Sequence, residues 1–188
     1  MKILAINSAP YTEEFVEPII QCLAEAGVKS ETVGYRNIPS NLEPYAGIII
    51  SASPKGNDIV ASHIPYFHWI KKCSIPVLGI CHGHQVMGVV HGADLIMHEQ
   101  SEDGECLVII EKDTSLFVGL GMNFKVVQHH DYYITLPDDF KLLASSSRCR
   151  VQAMVHNSKP LYSVQFHAEK KPQIIKNFIK MIFPHIMK

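Results

Sequence analysis

The segment over residues 76–85 places stronger limits on this chain than any other part of the sequence. An apolar run reaches Gly79, a cysteine follows at Cys81, and Gly83 opens a stretch of helical periodicity. A Gly-x-Cys-x-Gly pattern between a strand and a helix is typical of a nucleophile elbow, in which two glycines make room for a strained backbone. We therefore expect Cys81 at the head of a helix, where free N–H groups and the helix dipole favour the reactive thiolate.

A base and an orienting group for this cysteine are predicted further along the chain. Residues 162–167 alternate as a strand that ends in His167, and Glu169 follows two residues later. A carboxylate at that spacing can hold the imidazole by one ring nitrogen while the other serves the nucleophile. The sequence thus predicts a triad of Cys81, His167 and Glu169.

The pattern of apolar residues predicts an α/β fold, a doubly wound, mostly parallel sheet flanked by helices (flavodoxin-like), with a β-rich second half. No linker or repeat interrupts the chain, so we expect a single domain over residues 1–188. The predicted strands are 2–7, 29–35, 46–51, 75–80, 106–111, 123–128, 132–136, 142–145, 151–155 and 161–165, the predicted helices are 12–26, 59–73, 82–91 and 172–183, and His129, His130 and Asp131 are predicted to form a loop.

Charge and hydropathy exclude several classes of partner. The 17 basic and 18 acidic residues give a formal charge of −1 without a basic patch, so we expect no nucleic-acid or anionic-membrane binding. No run approaches the roughly twenty apolar residues of a membrane span, and the apolar start at residues 1–7 is too short for a signal peptide. These features favour a cytoplasmic protein.

The histidines and cysteines do not predict a metal site. The five cysteines are odd in number and lack the paired short spacing of a zinc site. His82, His84 and His91 flank the elbow without a carboxylate or thiolate at ligand spacing. We therefore expect no metal and no cofactor.

With the elbow, the terminal His-x-Glu and the intervening loop in place, nearly the whole chain resembles the class I glutamine amidotransferases. The resemblance implies that the cysteine attacks the side-chain amide of glutamine, forms a γ-glutamyl thioester and releases ammonia to a synthase. Compact length, the strand ending at Ile80 and the sequence Gln165-Phe166-His167 are most similar to the separate glutaminase subunit of GMP synthases. Such a resemblance implies that the substrate is glutamine and that the partner is an ATP-pyrophosphatase subunit.

The resemblance also implies roles for individual residues. Cys81 would be the nucleophile, His167 the general base and then acid, and Glu169 its orienting group. The remaining roles fall on the backbone N–H of His82 and the loop containing Ser53 as oxyanion donors, on Gln85 as a residue that seats the substrate, and on His129, His130 and Asp131 as contacts to its amino-acid end.

Some positions depart from the family pattern and leave alternatives open. The family usually has Ser-Gly-Gly-Pro where this chain has Ser51-Ala52-Ser53-Pro54, and these side chains restrict a peptide flip that glycine permits. His82 replaces the usual leucine or tyrosine, and Ala168 replaces a proline. The alternatives are a stand-alone γ-glutamyl hydrolase or peptidase and a catalytically silent binding subunit.

Overall fold

One mixed sheet with helices on both faces forms the described part of the protein. The computed structural model describes residues 1–54 and 57–185, without the side chains of 57–59. Within that part nine strands join in the order β2-β1-β3-β4-β9-β8-β7-β5-β6. The strands are β1 (Lys2–Asn7), β2 (Ser30–Gly34), β3 (Tyr45–Ile50), β4 (Val77–Ile80), β5 (Leu95–Ile110), β6 (Asn123–Ile134), β7 (Phe140–Ser145), β8 (Ala153–His156) and β9 (Leu161–Val164), and the α-helices are α1 (Glu17–Glu25), α2 (Asn57–His63), α3 (His82–Val90) and α4 (Pro172–Ile182).

The sheet divides into a parallel and an antiparallel half. Strands β2, β1, β3, β4 and β9 run parallel to one another. Strands β8, β7, β5 and β6 continue from β9 with antiparallel pairing. The predicted α/β class and the β-rich second half are confirmed, and the antiparallel pairs make the sheet more evenly mixed than the expected mostly parallel one. The single domain over residues 1–188 stays a prediction, because residues 55–56 and 186–188 lie outside the described ranges.

The parallel half is buried on both faces, which explains its apolar runs. Every residue of β3 is buried. Ile49 belongs to the core under α1 and α4, whereas Ile48 and Ile50 belong to the core under α3 on the opposite face. Successive side chains of a strand point to opposite faces, so a strand covered twice needs apolar residues at every position.

The helix predicted over residues 59–73 is shorter than expected. α2 ends at His63 and is followed by two short 3₁₀ segments, Ile64–Tyr66 and His68–Lys72. Pro65 lies at the start of the first segment. Because proline has no backbone N–H and collides with the preceding turn, it stops the regular α-helical pattern there.

The predicted loop at His129, His130 and Asp131 was wrong. These residues belong to β6, a continuous strand where the sequence predicted two. His129 pairs with Asp103 and His130 with Glu102 on β5, which is itself much longer than the predicted 106–111. Polar side chains suggested a turn, but the long antiparallel ladder between β5 and β6 satisfies the backbone of this segment.

None of the helices in the described ranges combines the length and the apolar character that crossing a bilayer requires.

Candidate active site

Cys81 lies at the turn between β4 and α3. Its backbone has φ 49° and ψ −99°, and it is the non-glycine residue of the described ranges with a positive φ. Its N–H donates to the carbonyl of Val164 at 2.8 Å, and its own carbonyl accepts from the N–H of Gln85 at 3.0 Å. These bonds fix a strained residue between a central strand and the first turn of a helix, as in a nucleophile elbow.

The two flanking glycines are required by close backbone contacts. A Cβ atom on Gly79 would lie 2.6 Å from the carbonyl oxygen of Gly83. A Cβ atom on Gly83 would lie 2.7 Å from the carbonyl oxygen of Ile50. Both distances are too short for a side chain, so the turn can form only with glycine at these positions.

His167 and Glu169 reach the cysteine from the neighbouring strand. β9 pairs in parallel with β4, with Ile80 opposite Val164, so the carboxyl ends of both strands lie side by side. His167 follows β9, and Glu169 lies in the 3₁₀ turn Ala168–Lys170. The Nδ1 atom of His167 hydrogen-bonds Oε1 of Glu169, and both side chains are buried. The carboxylate thereby orients the imidazole and leaves Nε2 for the sulfur.

The proton of this group resides on His167 at neutral pH. Burial lowers the pKa of His167, but its side-chain interactions with Cys81 and with Glu169 raise it further, to about 10. Nε2 is buried and has no partner with strict hydrogen-bond geometry among the described residues. An imidazolium beside the sulfur favours the thiolate and can later supply a proton to a leaving group.

Gln165 contacts the sulfur and was not singled out for a role in the sequence. It is completely buried, and its Nε2 donates to Sγ of Cys81 at 3.7 Å. Its Oε1 accepts a hydrogen bond from Nε2 of Gln85 at 3.3 Å. The signal that could have found it is its position two residues before His167, which places both side chains on one side of an extended segment.

The expected oxyanion donors lie next to the cysteine. Ser53 and His82 border the same small space as Cys81. The N–H of His82 opens α3 and therefore has no acceptor within the helix. The side chain of His82 points to His63 instead, with Nε2 at 2.9 Å from Nδ1 of that residue. Only the backbone of His82 is thus available for an oxyanion.

The loop that carries Ser53 is held in place by the adjacent strand. The N–H of Ser8 donates to Oγ of Ser51 at 3.0 Å, and Oγ of Ser8 donates to the carbonyl of Ser51 at 3.0 Å. The side chain of Ala52 is packed in the core. The loop is therefore preset by packing and hydrogen bonds.

The residues expected to seat the substrate divide into two groups. Gln85 is buried and donates to the carbonyl of Tyr132 at 2.8 Å, so it ties α3 to β6. His129 and Asp131 border the space at Cys81, and Nδ1 of His129 lies 2.6 Å from Oδ1 of Asp103. His130 borders the same space, but its buried imidazole bonds Glu102 and takes no position facing the sulfur.

The space directly at the sulfur is narrow, whereas a larger cavity lies beside His167. The space bordered by Ser53, Cys81 and His129 has a volume of about 10 Å³, enough for about one water molecule. On the other side of His129, a cavity of about 590 Å³ is lined by Phe15, His167 and other residues. A substrate the size of an amino acid fits the cavity but must widen the space at Cys81 to reach the sulfur.

Comparison with known proteins agrees with this geometry. The family model of glutamine amidotransferase class-I matches residues 11–183. The chain belongs to the class I glutamine amidotransferase family. The strained cysteine and its histidine partner thus lie in an amidotransferase domain that the match covers almost from end to end.

Relatives within the amidotransferase family carry one recurring name. The chain is 34% identical over 168 residues to the glutamine-hydrolysing GMP synthase subunit of Methanosphaera stadtmanae, which covers 81% of this chain and 89% of that protein. It is 36% identical over 149 residues to the protein of the same name from Methanothermobacter thermautotrophicus, with 73% and 79% covered.

A solved amidotransferase structure shares the fold over its full length. The putative GMP synthase subunit of Thermoplasma acidophilum superimposes with a TM-score of 0.88 at 27% identity, covering 98% of this chain and 95% of that one. A glutamine amidotransferase of Thermotoga maritima, at 21% identity and a TM-score of 0.75, shares the fold. The predicted fold class and family are confirmed.

Proposed function

We propose that this protein hydrolyses the side-chain amide of glutamine and passes the ammonia to a separate synthase subunit, which in the relatives' terms is that of GMP synthase. The observation that carries the proposal is the meeting of Cys81 with His167, which Glu169 orients, at the ends of two adjacent parallel strands. The relatives named as glutamine-hydrolysing GMP synthase subunits support the substrate and the kind of partner.

The chemistry follows from the positions of these groups. The thiolate of Cys81 attacks the γ-carbon of glutamine, and the N–H groups of His82 and the Ser53 loop stabilise the negative oxygen of the tetrahedral intermediate. The imidazolium of His167 gives its proton to the nitrogen, the C–N bond breaks, and ammonia leaves. Water, deprotonated by the same imidazole, then cleaves the thioester to release glutamate and the thiol.

The narrow space at Cys81 supports dependence on a partner. A volume of about 10 Å³ cannot hold the amide group of glutamine together with its chain, so the resting site is closed. Movement of the Ser53 loop or of the segment at His129 would open it. We propose that docking of the synthase subunit favours the open arrangement, since binding shifts a conformational equilibrium toward the state that binds better.

Release of ammonia from glutamine tests the proposal. Wild type and Cys81→Ala are assayed with and without an ATP-pyrophosphatase subunit, and Cys106→Ala serves as control because Cys106 is a thiol on β5 without a role in the triad. We expect slow hydrolysis by the wild type, faster hydrolysis with the partner, an unchanged rate for Cys106→Ala and none for Cys81→Ala. Equal rates for wild type and Cys81→Ala would remove the nucleophile from the proposal.

Two alternatives have distinct signatures in the same assay. A stand-alone γ-glutamyl hydrolase would be fully active alone and would also release amines from other γ-glutamyl compounds. A silent binding subunit would leave Cys81 unlabelled by a glutamine-analogue electrophile even with the partner present. A cytoplasmic location is part of the proposal, because a thiol nucleophile requires a compartment that keeps it reduced.

A further inference from the structure

A second cluster of polar side chains lies behind the strand segment that carries His129 and Asp131. Glu102 on β5 and His130 on β6 are direct cross-strand partners. A register irregularity between Met97 and Glu102 brings His98 to the same place. One nitrogen of each histidine and a carboxylate oxygen of Glu102 all lie within 4.8 Å of one another.

Hydrogen bonds determine which atoms of His130 are free. Its Nδ1 lies 2.9 Å from the carbonyl oxygen of Tyr132, so Nδ1 carries a proton and donates it. In a neutral imidazole the other nitrogen, Nε2, then holds a lone pair. This Nε2 lies 3.1 Å from Oε2 of Glu102 and 3.1 Å from Oε1 of Gln128. A lone pair and two oxygens therefore face one another in a buried position.

The orientation of the neighbouring amides follows from the carboxylate. Nε2 of Gln152 donates to Oε2 of Glu102 at 3.0 Å, because an ionised carboxylate only accepts. Oε1 of Gln152 must then accept, and it accepts from Nε2 of Gln128 at 2.7 Å. The remaining atom of that amide, Oε1 of Gln128, is the one that faces His130. Three acceptors thus converge, and such an arrangement requires a cation between them, either a proton or a metal ion.

His98 adds a donor atom for a metal to this cluster. Its Nε2 is buried and has no hydrogen-bond partner within the described ranges. Its ring centre lies 5.1 Å from that of His130 and 4.5 Å from that of Tyr133. Burial and the nearby His130 lower the pKa of His98, so it stays neutral and able to ligate at physiological pH. A buried nitrogen without a partner costs free energy that a bound metal would offset.

We propose that His98, Glu102 and His130 bind one divalent transition-metal ion, and that Zn²⁺ fits this donor set. Two imidazole nitrogens and a carboxylate oxygen with a fourth position for water are a common zinc arrangement. Zinc–nitrogen bonds of about 2.0 Å place tetrahedral donors about 3.3 Å apart, so the side chains close by about 1.5 Å or less.

Outer contacts already orient two of the three ligands. Oε1 of Glu102 accepts from Oγ of Ser146 at 3.0 Å, and its Oε2 accepts from Gln152. Nδ1 of His130 donates to a backbone carbonyl. Hydrogen bonds of this kind fix the tautomer and direction of metal ligands. Because His130 lies between His129 and Asp131 on β6, the ion would brace the strand that borders the proposed active site.

A second histidine cluster provides an internal control. His91, Asp139 and His156 also place donor atoms within 4.8 Å of one another. Nδ1 of His156 accepts from the N–H groups of Ser158 at 3.0 Å and Lys159 at 3.1 Å, so its Nε2 carries the proton and cannot ligate. Lys159 also lines the pocket there and adds positive charge. We expect no metal at this cluster.

The experiment measures Zn²⁺ and Co²⁺ binding to the full chain after treatment with a chelator. All variants carry Cys81→Ala, which removes the thiol of the proposed active site as a competing ligand. We expect one Zn²⁺ per chain by calorimetry and metal analysis, a tetrahedral Co²⁺ spectrum without a thiolate band, and a higher melting temperature with Zn²⁺. His98→Gln should weaken Zn²⁺ binding at least tenfold, and His91→Gln should leave it unchanged.

Each other result decides against the site. Absence of Zn²⁺ binding would leave His130 and Glu102 as a proton-linked pair and overturn the proposal. Equal loss in His98→Gln and His91→Gln, or loss in His91→Gln alone, would also overturn it. Circular dichroism verifies the fold of each variant, and Glu102→Gln, which keeps the shape of the side chain, provides a second ligand variant with the same expected loss.

Discussion

At the scale of single residues, Gln165 links the nucleophile to a residue that sequence reasoning assigned to the substrate. Its amide donates to the sulfur of Cys81 and accepts from Gln85. The triad residues could be predicted because a glycine-flanked cysteine and a His-x-Glu have local signatures. Gln165 has none, and neither do His98 and Glu102, because their relation depends on strand pairing and a register irregularity that single-sequence patterns do not show.

Replacement of Gln165 by methionine should slow glutamine hydrolysis about tenfold, the effect of one hydrogen bond to a charged atom. Methionine matches the length of the side chain but cannot donate to the thiolate. The check is kcat together with the pH dependence of Cys81 alkylation, which a purely structural defect would not shift. Gln21→Met, at an exposed position on α1, is the matched control, and a Gln165→Met enzyme with wild-type kcat and alkylation profile would contradict the assignment.

At the scale of elements, α4 was predicted almost to the residue, whereas two elements elsewhere were not. Its apolar stripe and the proline at its start are local signals. The loop assigned to His129–Asp131 failed because pairing with β5 overrides the polar composition of the segment. Asn177 shows a further limit: it is buried on α4 and donates to the carbonyls of Leu116 and Val118, at 2.9 and 2.8 Å, partners that the sequence does not reveal.

Substitution of Asn177 by leucine should lower the free energy of unfolding by about 2–3 kcal/mol, because two carbonyl groups lose their side-chain donor. Urea titration at neutral pH measures the effect. Lys180→Leu, at an exposed position on the same helix, should change stability by less than about 0.5 kcal/mol. If both variants unfolded at the same urea concentration, the Asn177 bonds would not matter to the docking of α4.

At the scale of the whole molecule, buried histidines make stability depend on pH. His82 and His84 are nearly inaccessible, and burial lowers the pKa of each to about 3. The unfolded chain binds protons at these residues below about pH 6.5, whereas the folded chain does not. Stability is therefore kept above pH 6.5 and falls as the pH drops toward 3. His167 acts in the opposite direction: its contribution is fully present below pH 6.5 and is lost as the pH rises through about 10.

The free energy of unfolding should therefore fall between pH 7 and pH 5, by about 2 kcal/mol for each of His82 and His84. His84→Gln should give a shallower decrease by about that amount in urea titrations at the two pH values. His68→Gln, at an exposed position, is the control and should follow the wild type. A decrease of the same size in His84→Gln and wild type would show that protonation of His84 is not coupled to unfolding.

The place of β9 in the sheet has a consequence for synthesis on the ribosome. β9 lies between β4 and β8, although it is the last strand of the described chain to be translated. A growing chain that already exposes its cysteine therefore lacks the base that would activate it. Reactivity begins only when the late strand inserts into the middle of a sheet whose two sides were made earlier, so unfinished chains consume no glutamine.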